Sequence, residues 1–444
     1  MIRPVFPALW LSARGVGVLV FLSVLLGLAG FVRPLLVPVM GLFAAFVVLL
    51  VIDVARGPAK TALRVERAPL GFLALRRPGE LAYAVENRSA TEIRLGLIET
   101  PVPTIGFAAD EVVARVAARS GAHVRAGYLP RERGAATFGN VYLWTENRIG
   151  LVRRRFVHAA SERVRVFPDL SAIERDGYLA RRRTLVESGL RRLKLRGTGT
   201  EFESLREYVP GDAFRVVDWK ATARRGRLMV QQHEVERSQQ VVVALDAGRL
   251  MWPRIGLQRK FDYALTAALS VARIAQAADD NVGLVAFAAA PRLWIKPRRG
   301  AAHVAALARA AYDLQPALEE PDYETFFTEL RRRYTKRSLI VLFTDLFDPT
   351  TSRGVVAGIA SLVARHLVVC VLANDAAIEA GLAAPPATAA EAYRTSAALT
   401  LADERAAAIA TLRSRGVIIV DVPAQRLTVA LLDTYLDIKN RNLL

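Results

Sequence analysis

Two aspartates stand at the ends of apolar runs that have the composition of buried strands. Asp246 closes the run 239–246, and Asp345 closes the run 338–345. If these runs are neighbours in a parallel sheet, both carboxylates lie at its carboxyl edge, where open α/β sheets bind ligands. Carboxylate oxygens are the ligands that hard divalent cations such as Mg²⁺ prefer. A shared magnesium ion is therefore the first chemical hypothesis that the sequence raises.

Other residue types that support catalysis are scattered along the chain. The five histidines each stand alone, and the single cysteine, Cys370, lies in an apolar run that favours a buried, unreactive thiol. Glu201, Glu203 and Glu207 are close enough for the paired carboxylates of glycoside hydrolysis, but neighbouring arginines favour ion pairing instead. The sequence contains no P-loop, no His-Glu-x-x-His and no nucleophile-elbow motif. We predict no catalytic residue, with a divalent-metal-dependent hydrolase or another enzyme acting at a membrane as the alternative.

The two aspartates belong to a segment, residues 236–444, in which apolar strands alternate with helical periods. Strand-like runs lie at 239–246, 282–287, 338–345, 367–372 and 417–420, and helical periods at 261–272, 301–314, 322–334 and 427–436. Because strands that alternate with helices build parallel sheets covered on both faces, this segment is predicted to form a doubly wound α/β domain.

An arginine-rich connector, residues 175–235, precedes this domain and contains the most distinctive stretch of the chain. The residues that carry its pattern are Glu203, Arg206, Tyr208, Gly211, Asp212, Arg215, Asp218, Trp219, Lys220 and Arg224. Glycines, charges of both signs and two aromatics of a type usually buried suit a loop held on a domain surface by arginine–carboxylate pairs. The same mixture also suits the wall of a functional cleft, and spacing alone does not decide between the two.

Basic residues dominate the charge of the 444-residue chain, whose 61 lysines and arginines against 42 acidic residues give a net charge of +19. Near a membrane, the basic runs of the connector favour contact with anionic lipid head groups or with a protein. A nucleic-acid interface is not expected, because no nucleic-acid-binding fold is recognisable nearby and few aromatics are interleaved with the basic residues.

The first 56 residues have the pattern of a membrane anchor. The stretches 15–32 and 34–52 carry no charge, and only Arg33 separates them. Each is long enough to cross a hydrocarbon core of about 30 Å, and a second apolar stretch that follows at once argues against a cleaved signal peptide. Basic residues flank the outer ends of this predicted pair of transmembrane helices, so the positive-inside rule places both termini and the bulk of the chain in the cytoplasm.

Residues 60–170 read as a small β-rich domain. Short runs that alternate apolar and polar residues are separated by turn sequences such as Arg-Pro-Gly and Glu-Asn-Arg. Several short strands at this spacing predict an antiparallel sandwich or barrel. No residue of this domain stands out as a candidate for chemistry.

The order of hairpin, motif and α/β domain resembles the bacterial family known as domain of unknown function 58. The residues that carry the resemblance form the series Gly-x-Gly-x-Glu-Phe, Leu-Arg-x-Tyr, Gly-Asp and Trp-Lys-Ala-x-Ala-Arg between 197 and 224. The resemblance implies a von Willebrand factor A-like domain on an anchor in the bacterial inner membrane. It also implies a partnership with a MoxR-type AAA+ ATPase and an adaptor role in the assembly or maturation of protein complexes.

The resemblance implies a specific metal site as well. The von Willebrand A family uses Asp-x-Ser-x-Ser after the first strand, a threonine from a later loop and an aspartate after the fourth strand. Here the first element, beginning at Asp246, reads Asp-Ala-Gly-Arg-Leu, so both serines are missing. Thr344 and Asp345 match the fourth-strand element, but no threonine stands near 298–300. We expect no tightly bound cofactor, and at most weak, hydrated Mg²⁺ on this degenerate set.

The alternative for these residues is structural: Asp246 and Asp345 pair with arginine or backbone N–H groups at the strand ends. On that reading the rim around Asp246, Gly248, Arg249 and Asp345 contacts a protein partner, and the connector motif rigidifies or extends the contact surface.

Overall fold

The computed structural model describes residues 8–170, 201–209, 214, 217–234, 239–346, 349–374, 386, 388–441 and 443–444. The chain divides into two compact units, Met1–Phe167 and Pro168–Leu444. Each unit is described by itself below.

The first unit opens with a helical hairpin. A short strand, β1 (Leu9–Leu11), leads into α1 (Ala13–Ala29), and α2 (Leu36–Arg56) follows after a 3₁₀ turn at Arg33–Leu35. Both helices carry large apolar side chains that are exposed in this chain, among them Val16, Val20, Phe21, Val24, Leu28, Val37, Met40, Val47, Val48 and Val51. An apolar surface of this kind is unusual in water.

The structure supports the prediction of two spans only in part. Among the described residues, only the helical stretch Arg33–Arg56 is long and apolar enough to cross a membrane. The predicted first span, 15–32, is shortened because α1 stops at Ala29 after 17 residues. Physically, the chain must turn before Pro34, since a proline fits the first turn of a helix but not its interior.

The rest of the first unit is all β, as predicted. Its strands are β2 (Leu63–Arg67), β3 (Phe72–Ala74), β4 (Gly79–Asn87), β5 (Ile93–Glu99), β6 (Ile105–Phe107), β7 (Val112–Val116), β8 (Ser120–Pro130), β9 (Gly134–Phe138), β10 (Val141–Glu146), β11 (Val152–His158) and β12 (Glu162–Phe167). They form three sheets, ordered β1-β11-β10-β5-β7, β2-β4-β8-β6 and β3-β12-β9. Side chains from all three sheets, including Tyr83, Leu95 and Phe138, fill one core. The sequence pattern did not indicate that β1, which precedes the hairpin, joins this domain.

The second unit contains the predicted α/β domain. Its elements are β13 (Glu201–Glu207), α3 (Trp219–Arg225), β14 (Met229–Glu234), β15 (Gln240–Asp246), β16 (Arg254–Ile255), β17 (Gln258–Arg259), α4 (Lys260–Ala277), β18 (Asn281–Phe287), β19 (Pro291–Arg298), α5 (Ala301–Ala311), α6 (Tyr323–Arg333), β20 (Leu339–Thr344), α7 (Pro349–Val363), β21 (Leu367–Asn374), α8 (Ala389–Ser414), β22 (Ile418–Pro423) and α9 (Leu427–Asn440). The first hairpin, β13 with β14, is separate from the main sheet.

The main sheet has six strands in the order β19-β18-β15-β20-β21-β22. Its pairs are parallel except for β19, which runs antiparallel to β18. Helices α4, α5 and α9 pack on one face, and α6, α7 and α8 pack on the other. This arrangement confirms the doubly wound prediction. The lone cysteine, Cys370, is buried in β21, and burial raises the pKa of its thiol to about 12.

Candidate functional site

The two aspartates singled out by the sequence meet at one edge of the sheet. Asp246 ends β15, and Asp345 directly follows β20, which pairs with β15 in parallel. The direction in which successive strands are added to the sheet reverses between these two strands. After β15 the chain adds β18 and β19 on one side, and then adds β20, β21 and β22 on the other side. In open α/β sheets such a reversal is where ligands bind. The position is therefore that of a ligand site, and the side-chain contacts decide what it can hold.

Asp246 is fully buried, and both of its oxygens accept hydrogen bonds. Its Oδ1 accepts from the Gly248 amide at 2.7 Å, and its Oδ2 accepts from the Tyr323 hydroxyl at 2.6 Å and the Thr344 hydroxyl at 2.8 Å. Burial raises the pKa of Asp246 despite these hydrogen bonds, and the nearby charge of Asp345 acts in the same direction. Burial and the adjacent Asp246 likewise raise the pKa of Tyr323.

Asp345 is held by cations of the protein itself. Its Oδ2 lies 2.5 Å from the Lys260 ammonium, at the first residue of α4, and its Oδ1 accepts from the Leu346 amide at 2.8 Å. Arg405 of α8 approaches Oδ1 to 3.7 Å and forms two 2.8 Å bonds with Asp421 of β22. Since the Asp345 side chain is 4% exposed, the Lys260 ion pair is a buried one.

These residues do not fit a bound Mg²⁺ ion. Within the described part of the chain, none of the oxygens of Asp246, Thr344 or Asp345 is a buried acceptor without a partner. The same part of the chain contains no group of three or more His, Cys, Asp or Glu residues placed to hold a metal. A cation beside Asp345 would have to displace the Lys260 ammonium, which already supplies the positive charge there.

The carboxyl edge of the sheet is covered by residues 317–321, which lead into α6 and are called the covering segment. Ala317 donates its amide hydrogen to the carbonyl of Ala247 at 2.7 Å, and Arg249 donates its own to the carbonyl of Glu319 at 2.8 Å. A Cβ on Gly248 would come within 2.3 Å of Pro321, so this position accepts only glycine without a shift. Asp246 itself has no solvent-exposed surface.

The predicted partner-binding rim is therefore corrected. Asp246, Gly248 and Asp345 are buried, and only the Arg249 side chain is exposed, where it pairs with Glu320. The physical reason is that Asp246 is enclosed by its contacts with Tyr323 and Thr344, Gly248 packs against Pro321, and Asp345 pairs with Lys260. A partner approaching this edge meets Arg249 and the covering segment, not the two carboxylates.

The connector motif folds as a hairpin with a helix between its strands. β13 and β14 pair antiparallel, Asp218 caps α3 by accepting from the Ala221 amide at 3.0 Å, and Gly226 ends the helix with a φ of +68°. Arg227 pairs with Glu207 across the hairpin at 2.9 Å. This hairpin differs from the surface loop that is one of the two interpretations of the sequence, although the expected arginine–carboxylate pairing is present.

The individual motif residues lie as follows. Glu203 and Arg206 are in β13, Tyr208 follows it, Asp218 caps α3, Trp219, Lys220 and Arg224 are in α3, and Gly211, Asp212 and Arg215 fall outside the described residues. The Tyr208 ring contacts the Phe214 ring with centroids 5.8 Å apart. No residue of α3 is buried, so the expectation of a buried aromatic is wrong for Trp219, which is 61% exposed. Lys220 and Arg224, both exposed, are on the same short helix.

Sequence reasoning did not find Lys260, Tyr323 or Arg405. A signal for Lys260 exists, because a spacing of four places it on the buried face of α4 with Ala264 and Ala268. Arg405 has no such signal, since the surrounding alanine-rich sequence of α8 shows no clear apolar face.

Comparison with known proteins reveals related sequences of unassigned function. Residues 204–383, less than half of the chain, match the family model described as "Protein of unknown function DUF58". An uncharacterised protein of Mycobacterium tuberculosis H37Rv is 26% identical over 181 residues, which is 40% of this chain and 56% of that protein. The chain thus spans about half the length of this curated relative. The uncharacterised protein YeaD of Bacillus subtilis is 44% identical over 43 residues, covering 10% of this chain and 11% of YeaD.

Three solved structures resemble parts of the chain. The conserved hypothetical protein BatB from Bacteroides thetaiotaomicron covers 46% of this chain and 100% of its own, with 11% identity and a TM-score of 0.31. The SpRpn10 VWA domain covers 44% and 95%, with 12% identity and a TM-score of 0.29. The PapD-like domain 7 of human CEP192 covers 26% and 90%, with 11% identity and a TM-score of 0.20.

Proposed function

We propose that this chain is a membrane-anchored adaptor that recruits a protein partner through the connector motif. The observation that carries the proposal is the exposure of Trp219 on α3, a short helix that also exposes Lys220 and Arg224. Tryptophan and arginine are the residues most enriched at energetically dominant points of protein interfaces. At the carboxyl edge of the sheet, by contrast, Asp246 and Asp345 already bond to other groups of the protein. We therefore look for the partner-binding residues of the described α/β unit outside that edge.

The partner that we propose is a MoxR-type AAA+ ATPase, in the assembly or maturation of protein complexes. Two observations support this partner. The motif series between 197 and 224 resembles that of the domain of unknown function 58 family, a resemblance that implies such an ATPase, and residues 204–383 match the model of that family. The basic character of α3 suits an acidic surface on that partner, because complementary charge steers association. In this arrangement the ATPase supplies energy, and this chain supplies position and recognition.

The anchoring that we propose uses both helices of the hairpin, with its open end in the cytoplasm. The apolar stretch Arg33–Arg56 supports insertion, and the exposed apolar side chains of α1 support its entry beside α2. Basic residues flank the outer ends of the two helices, while the turn between them carries Arg33 alone. This asymmetry is the basis of the proposed orientation.

The test is capture of the MoxR-type ATPase of the same organism by the immobilised full chain in detergent. Wild type should retain the ATPase. Trp219→Ala should raise the dissociation constant about thirtyfold, the loss of affinity typical of an interface hot spot. Tyr393→Ala is the matched control, because it removes from α8 an aromatic ring that is even more exposed than Trp219. No capture by wild type would refute the ATPase as partner, and equal capture by both variants would refute the motif surface.

A further inference from the structure

The helical hairpin of α1 and α2 is hydrogen-bonded to the β domain where α1 begins and α2 ends. Its partner is the turn between β10 and β11. Asp53, near the end of α2 and 2% exposed, accepts hydrogen bonds from the amides of Leu151 at 2.8 Å and Val152 at 2.7 Å. The Asn147 side chain donates to the Asp53 carbonyl at 2.8 Å. A buried carboxylate that accepts two backbone N–H bonds is a strong attachment.

The first turn of α1 is attached to the same loop. Ser12 donates its amide hydrogen to the Leu151 carbonyl at 2.8 Å and its hydroxyl hydrogen to the Gly150 carbonyl at 2.5 Å. A Cβ on Gly15 would lie 2.3 Å from the Leu151 carbonyl oxygen, so the helix backbone is pressed against the loop. We call the first turn of α1, the last turn of α2 and residues 147–151 the hairpin base.

Three exposed arginines belong to the hairpin base. Arg14 is in the first turn of α1, Arg56 is the last residue of α2, and Arg148 is in the attached turn. The Arg14 guanidinium lies over this turn, 3.3 Å from the place that a Cβ on Gly150 would take. Among residues 8–170, none of these three arginines forms an ion pair. We call them the arginine collar.

The collar lies where the apolar surface of the hairpin begins. Exposed Val16 lies just after Arg14 on α1, and exposed Val51 lies about one and a half turns before Arg56 on α2. If the apolar surface is in hydrocarbon, the guanidinium groups stand at the level of the lipid head groups. A guanidinium binds phosphate through two parallel N–H bonds and keeps its charge at every physiological pH.

We propose that the arginine collar binds the phosphate groups of anionic phospholipids, and so holds the β domain at a fixed height on the bilayer. The proposal rests on the membrane anchoring proposed above. It differs from a diffuse basic attraction because the three cations are positioned by the hydrogen bonds of Asp53 and Ser12 to one turn. Anionic lipid should therefore be selected by these three residues and not by the chain's positive charge in general.

The experiment places the full chain in phosphatidylcholine bilayers with a trace of spin-labelled phosphatidylglycerol or spin-labelled phosphatidylcholine. At low salt wild type should prefer the anionic label about fivefold, the effect expected for a basic residue at a membrane surface. The triple variant Arg14→Gln/Arg56→Gln/Arg148→Gln should show a preference near one. Unchanged hydrogen exchange at the Leu151 and Val152 amides will show that its hairpin base is intact.

The matched control is Arg77→Gln/Arg131→Gln/Arg163→Gln, which removes the same charge from three exposed arginines outside the base. It should keep the wild-type preference, and loss of preference in this control would overturn the proposal. Insertion of wild type without preference for the anionic label overturns the collar alone, whereas failure to insert overturns the anchoring. A DNA duplex that binds wild type but not the collar variant, without lipid preference, would assign the collar to nucleic acid instead.

Discussion

At the scale of single residues, Lys260 supplies the positive charge at the position predicted for a metal ion. Its ammonium lies beside Asp345, where the family resemblance implies a divalent ion. A covalently tethered cation neutralises the carboxylate at all times, whereas a bound ion does so only when its concentration permits. The second carboxylate, Asp246, is satisfied separately by two hydroxyls and an amide. The edge of the sheet is thus complete without an ion from solution.

Replacing Lys260 by methionine tests this account. Lys260→Met leaves Asp345 buried without its main counter-charge, and should lower the free energy of unfolding of the α/β unit by about 3 kcal/mol. Urea denaturation of the full chain in detergent, followed by pulse proteolysis, measures the change. Mg²⁺ and EDTA should leave the wild-type midpoint unmoved, and a large rise with Mg²⁺ would contradict the tethered-cation interpretation.

Two further variants separate charge pairing from packing. Lys336→Met removes an exposed lysine and should change the free energy of unfolding by less than about 0.5 kcal/mol. Lys260→Met/Asp345→Asn removes both charges, and should recover part of the loss because no uncompensated carboxylate remains. If the double variant were as unstable as the sum of its single changes, the two groups would not be coupled.

At the scale of elements, the contact of α1 with the β10–β11 turn depends on one glycine. Gly15→Ala puts a methyl group 2.3 Å from the Leu151 carbonyl oxygen, so the helix or the turn must move. Overpacking of this kind typically costs about 1–3 kcal/mol. Hydrogen exchange at the Leu151 and Val152 amides should become about tenfold faster or more, because their bonds to Asp53 open more often.

Gly17→Ala is the matched control in the same helix. A Cβ at Gly17 has no atom of the protein within 4 Å, so the substitution adds helix propensity without a clash. Exchange at the two amides should be unchanged or slower. Equal acceleration by both substitutions would show that α1 is generally intolerant, and that the hairpin base is not a specific contact.

The elements differ in how far the sequence predicts them. β15 and β20 are recognisable because central parallel strands are apolar throughout, and this pattern also predicts that Asp246 and Asp345 lie close together. β19 is not, because its two prolines and basic residues do not look like a strand, although prolines are tolerated at a sheet edge. The sequence does not predict the connector hairpin of β13 and β14, because the glycines and charged residues around it are more typical of a loop than of a strand.

The contacts of the site are less predictable than its position. Lys260 and Asp345 are 85 residues apart, and their pairing depends on how α4 docks on the sheet. The exposure of Trp219 could not be inferred from residue type, because tryptophan is usually well buried. Sequence pattern indicates which residues end strands, whereas tertiary packing decides which of them remain accessible.

At the scale of the whole molecule, the charge of +19 and the apolar hairpin give two different reasons for a chain to be found with membranes. A purely electrostatic attachment is released when salt shortens the screening length to about 3 Å at roughly 1 M. An inserted hairpin is not, because its attachment comes from apolar area transferred into hydrocarbon.

We predict that the full chain stays in the membrane pellet after washes with concentrated salt and with alkaline carbonate. The physical reason is the exposed apolar surface of α1 and α2, which salt does not screen. Immunoblotting of pellet and supernatant measures the outcome. Release by salt alone would show that the basic residues hold the chain at the membrane and that the hairpin does not insert.

The burial of Cys370 has a practical consequence for every experiment on this chain. Since it is the sole cysteine and its thiol has a pKa of about 12, almost none of it is thiolate near neutral pH. A cysteine introduced at an exposed position of α3 would be the one thiol that reacts readily with a maleimide fluorophore. Distances and docking events could then be followed by fluorescence without first preparing a cysteine-free background.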